Sequence, residues 1–155
     1  MFAVLWAATE AAAGCPPVEI RPGFGHRWTV DHPGGPADPL WVVTWQFVLG
    51  GERPGVLSTA DTRLEVALAS GALFDAALLV DAAPEPSDAT GLALTAYTAT
   101  FALTEADVAA LAASPVTAVT IERGSEPLLQ LGARSAEWRT LPAQVRCVLD
   151  QHGGA

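Results

Sequence analysis

The chain contains no lysine: its eight basic residues are all arginine, set against 17 acids for a net charge of -9 over 155 residues. A duplex carries a dense negative charge, so an acidic domain with scattered arginines lacks the basic footprint of nucleic-acid binding. Long apolar runs are also missing. Segments such as Phe2 to Ala8 and Leu40 to Val43 fall far below the roughly 20 residues that a membrane-spanning helix needs. The positive mean hydropathy of +0.31 therefore reflects alanine, and no membrane span is expected. GxSxG, Walker, GxGxxG and HExxH patterns are absent as well. Catalysis can be assembled from dispersed residues, so an enzyme stays open. No reaction and no cofactor is implied.

Cysteine is nearly absent, with Cys15 and Cys147 at opposite ends of the chain. Two thiols cannot build a multi-cysteine zinc site, and they form no CxxC redox motif. Two readings stand: a disulfide tying the ends together in an exported protein, or two separate thiols. The second is the expectation.

Residues Met1 to Cys15, MFAVLWAATEAAAGC, resemble the tail of a secretory signal, with AAGC a loose version of a bacterial lipoprotein processing site. That resemblance implies a lipid anchor at Cys15. No base precedes the apolar segment, however, and Glu10 interrupts it. The competing reading is an alanine-rich helix ended by Gly14. Residues 1–15 are thus a signal remnant or a helix, and 16–155 form a single β-rich domain at the usual domain size. A cytoplasmic location is expected ahead of the cell envelope.

Several stretches read as strands. Val18 to Arg21 is short, and Pro22 to Gly25 turns the chain. HRWTVDH, His26 to His32, alternates His26, Trp28, Val30 and His32 with Arg27, Thr29 and Asp31, as on a surface strand. His26, Asp31 and His32 are the candidate metal or acid–base residues. At the strand rise the two imidazoles lie roughly 20 Å apart, too far to share an ion without a bend. LWVVTWQFVL, Leu40 to Leu49, carries Trp41, Val43, Trp45, Phe47 and Leu49 on one face, an aromatic area that needs a core. A ligand-lined sheet is the sharper alternative, with Trp28, Trp41, Trp45 and Tyr97 as contacts.

Val56 to Ala69 and Leu73 to Asp81 read as an antiparallel hairpin around Ser70 and Gly71. Ala82 to Gly91 reads as a flexible loop. Leu128 to Leu131 is a last short strand, Ser135 caps a turn containing Trp138, and a final helix of about ten residues is expected to end before Gly153.

The best-specified piece runs from Thr95 to Glu122 as strand, helix, strand. Thr104 is a good N-cap and Asp107 three residues on completes a capping box, with Leu103 and Val108 as staple. Pro115 ends the helix at Ser114. This unit is expected to close over the sheet built around Trp41 to Leu49. Tyr97, Phe101, Leu103, Thr104, Glu105, Asp107, Leu111 and Val116 to Ile121 resemble, in outline, a segment of small bacterial β-rich proteins with no assigned activity. The resemblance implies an antiparallel fold with short helices and no catalytic residues.

The expected fold class is α+β: mainly antiparallel sheet, sandwich or barrel-like, with one or two short covering helices. The expected function is a non-catalytic interaction or accessory domain of a bacterial protein, with an unknown protein partner. The alternatives are a small-ligand-binding protein and a hydrolase around His26, Asp31 and His32.

Overall fold

Strands dominate because β-branched and aromatic residues cluster in short alternating runs separated by Gly, Pro, Ser and Asp. The computed structural model describes residues 15–21, 26–34, 37–50, 55–87, 94–132 and 139–153. The expected N-terminal helix or signal remnant, the Pro22 to Gly25 turn and the Ser135 cap with Trp138 lie outside those residues. In chain order the described elements are β1 (Val18–Arg21), β2 (His26–Asp31), β3 (Trp41–Leu49), β4 (Thr62–Leu68), β5 (Leu73–Ala77) and β6 (Glu85–Ser87). They continue as β7 (Leu94–Leu103), α1 (Glu105–Ala113), β8 (Val116–Arg123), β9 (Glu126–Gly132) and α2 (Leu141–Gly153).

Among the described residues all strand pairing is antiparallel, and the fold is α+β. A five-stranded sheet runs in the order β1-β2-β3-β7-β6 and a four-stranded sheet in the order β5-β4-β8-β9. The sheets are stitched together just after β5. Leu78 bridges Phe101, and the Leu79 N–H donates to the Thr100 carbonyl at 2.9 Å. Register follows the alternation in the sequence. On β3 and β7 the pairs Trp45–Ala99 and Phe47–Tyr97 face the core, while the hydroxyls of Thr44 and Thr100 meet at 3.1 Å on the other face. Leu64, Val66 and Leu68 of β4 are buried, and Arg63 is exposed. One apolar cluster links residues from Cys15 and Val18 through both sheets to Val145 and Val148 of α2.

The capping box of α1 is present as the sequence dictates. The Asp107 N–H donates to the Thr104 hydroxyl at 3.1 Å, and the Thr104 N–H donates to the Asp107 carboxylate at 3.0 Å. Helix α1 ends at Ala113, with Ser114 in extended conformation before Pro115. Ser114 then ties the corner together, its hydroxyl accepting from the Ser70 N–H at 3.0 Å. Helix α2 tolerates Pro142 because that residue sits in the first turn, where no intrahelical N–H bond is lost. It packs on α1, and Arg146 donates to the Ala112 carbonyl at 2.7 Å. The β4–β5 turn needs Gly71 at φ 91°, a backbone that a side chain would strain.

The structure corrects several expectations. The strand read over Leu73 to Asp81 ends at Ala77, and the final helix runs 13 residues, through Gly153. Thr95 to Glu122 is not a closing layer: β7 is a member of the first sheet and β8 an inner strand of the second, so the unit carries the chain from one sheet to the other. The strand expected from Val56 begins only at Thr62. Ser58 holds a turn instead: its hydroxyl accepts the Ala60 N–H at 3.1 Å, the local competition typical of serine, and its carbonyl accepts the N–H groups of Asp61 at 3.3 Å and Thr62 at 3.0 Å. The loop expected from Ala82 contains a three-residue edge strand, Glu85–Ser87, paired with β7. Finally, β2 is not a surface strand, since it lies between β1 and β3 with His26 and His32 both buried.

Candidate functional site

The inner face of the first sheet brings the sequence's aromatic candidates together. Trp28 on β2 and Trp45 on β3 are opposite one another in register, and their rings meet edge-on with centroids 5.6 Å apart. Trp45 continues to Phe47 at 5.4 Å, and Phe47 stacks on Tyr97 at 5.4 Å. The Tyr97 hydroxyl donates to the Gly55 carbonyl at 2.8 Å, which gives this buried ring its polar partner. Trp28 and Trp45 are 0% exposed and Tyr97 is 1%. Trp41 stands apart, its ring against that of His32 at 4.6 Å. The row is therefore the packed heart of the sheet, built from side chains filling one another's space.

The histidines occupy the two ends of β2. His26 accepts from the Val48 N–H through Nε2 at 3.4 Å and lies edge-on to Trp45 at 6.3 Å. At the other end His32 donates from Nε2 to the Asp38 carbonyl at 2.6 Å. Asp31 is exposed, and its carboxylate accepts the His32 N–H at 2.8 Å. The Asp38 carboxylate accepts the Leu40 N–H at 2.9 Å. Each of these contacts shapes the 31–40 loop or the end of β3. Among the described residues no group of three or more His, Cys, Asp or Glu is placed to hold a metal ion.

Cys15 and Cys147 form a disulfide, with Cα atoms 5.8 Å apart across 132 residues of sequence. The bond joins the residues leading into β1 to the middle of α2. With both sulfurs bonded to each other, the reading of two separate thiols does not hold in this structure, and the Cys15 sulfur is not available to carry a lipid.

One feature escapes the sequence. Residues 56–62 and 78–82 are laced into a rigid corner: Leu57 and Ala82 exchange backbone hydrogen bonds at 2.9 Å, and the Thr59 N–H donates to the Asp81 carboxylate at 2.9 Å. Three consecutive apolar residues enter this corner, and only Leu78 is buried. Leu79 is 40% exposed, Val80 64% and the neighbouring Val56 54%. The legible signal was that adjacent residues of an extended chain point to opposite faces, so Leu78, Leu79 and Val80 could not all enter the core.

Among the described residues no helix is long and apolar enough to cross a membrane. Comparison with protein-family models, with curated proteins and with solved structures found no match.

Proposed function

We propose that this chain is a non-catalytic interaction domain that works in an oxidising compartment, at the cell surface or beyond it. The observation that carries the reading is the division of its apolar side chains. The aromatics that invited a ligand are all buried, Trp28, Trp45 and Tyr97 in one packed row with Phe47 and Trp41 against His32, whereas Val56, Leu79 and Val80 are held out to solvent on a hydrogen-bonded corner. Apolar surface displayed on a rigid support is what partner binding uses, because little conformational entropy is lost on docking. The Cys15–Cys147 bond supports the compartment, since disulfides persist where the redox environment is oxidising. This favours export over the cytoplasmic location expected from sequence. It also agrees with the non-catalytic character implied by the resemblance to small bacterial β-rich proteins.

Photo-crosslinking in the host cell tests the reading. A photoreactive residue is placed in turn at exposed positions of each face, Ala83 and Glu105 among them. The expected outcome is a discrete protein adduct from one face, reproducible across neighbouring positions. The reading fails if every face gives no adduct while the purified chain is found to turn over a small-molecule substrate.

A further inference from the structure

We propose that β9 is a homodimer edge: a second copy of this chain pairs antiparallel with it about a two-fold axis at Gln130, joining two four-stranded sheets into one. The proposal goes beyond the interaction reading and stands without it.

The first argument is the direction of the backbone groups. The Gly124 N–H donates to the Asp61 carbonyl at 2.7 Å, in line with the β4–β8 register, so Thr120 and Glu122 face β4 while Val119 and Ile121 face β9. Val119 pairs with Leu131 and Ile121 with Leu129, so those two leucines direct their N–H and C=O groups inward. The corresponding groups of Leu128, Gln130 and Gly132 then point away from the sheet. Among the described residues no strand pairs with that side.

The second argument is the occupant that fits. Setting Gln130 against its own copy brings Leu128 opposite the copy's Gly132 and pairs every outward group of this stretch. Leu129 then lies beside the copy's Leu131. Leu131 is buried and Leu129 half-buried against the core, so pairing extends the apolar face of the sheet across the axis. Gly132 has no positive φ that would call for glycine, and a Cβ at that position would meet no atom within 4 Å. The gap receives the copy's Leu128.

The other sheet ends fit a copy less well. Strands β1 and β6 are four and three residues long, and β5 carries Asp75 at its middle, which a two-fold axis there would set against its own copy. Leu128 to Gly132 holds no charged residue, although open edges usually carry one as a guard against pairing. The flanking charges are Glu122, Arg123 and Glu126 at the hairpin end and Arg134 after Gly132 in sequence. Their signs are mixed, so neither end repels a copy.

Sedimentation of the purified, oxidised full chain over a rising concentration series tests this. A monomer–dimer equilibrium is expected. Gln130→Pro removes an outward N–H at the axis and leaves the inward bonds of Leu129 and Leu131, so the dissociation constant should rise about tenfold or more at an unchanged thermal midpoint. Gln130→Lys, at an exposed position, sets like charges across the axis and should also weaken the dimer if Gln130→Pro proves unstable. A short bis-maleimide should crosslink Gln130→Cys dimers well and Glu126→Cys dimers poorly, because only position 130 meets itself. A chain that stays monomeric at every concentration overturns the proposal. So does a dimer that Gln130→Lys leaves as tight as wild type, or one that crosslinks better through Glu126→Cys.

Discussion

Replacing Cys147 by serine is expected to lower the unfolding free energy by about 2–5 kcal/mol, the range found when a native disulfide is lost. The closed loop spans 132 residues, and loop-closure entropy for that length alone gives about 5 kcal/mol, with native-state adjustments usually reducing it. The loss should be felt first at α2. That helix packs on α1 and reaches β2, and its covalent link to the start of β1 keeps Leu141, Val145 and Val148 in the core. Denaturant unfolding checks this. Cys15→Ser, Cys147→Ser and the double variant should be equally destabilised, because all three remove one bond. Adding reductant should shift wild type to the same midpoint and leave the variants unmoved. A single variant as stable as wild type would contradict it, whereas a somewhat larger loss at Cys15, whose side chain is 2% exposed, would reflect the buried hydroxyl.

The second large effect is expected at Trp45. Its side chain is 0% exposed and contacts Trp28, Phe47 and His26, so Trp45→Ala opens a cavity at the centre of the first sheet. Truncations of this kind destabilise by about 3–5 kcal/mol. Trp45→Phe should retain most of the stability. It keeps a ring between Trp28 and Phe47, and it gives up no protein hydrogen bond because the indole Nε1 has none. Thermal or denaturant midpoints of the pair decide it. If Trp45→Ala were near neutral, the aromatic row would not be the core of the sheet.

The parts of this fold that were legible are those fixed by neighbours in sequence. Thr104 and Asp107 lie three residues apart, so their reciprocal hydrogen bonds and the stop before Pro115 are local consequences of residue type. The inward faces of β3 and β7 were legible for the same reason, since side-chain alternation is a property of one strand. What pairs with what was not. That β2 lies between β1 and β3, burying His26 and His32, depends on contacts between segments far apart in sequence, which no periodicity encodes. The same holds for the disulfide, which needs Cα atoms within about 7 Å and has them 5.8 Å apart. The corner at Leu79 and Val80 was missed because an apolar run reads as strand core until Leu78 is seen to switch its pairing to β7.

Intrinsic fluorescence tests the central claim most directly, namely that the aromatic row is packed core and that function lies on the surface. Trp6→Phe and Trp138→Phe confine emission to Trp28, Trp41 and Trp45, all buried. Blue-shifted emission that does not respond to a panel of sugars and small apolar molecules is expected. Saturable quenching or a spectral shift with any of them would place a ligand among these rings and contradict it.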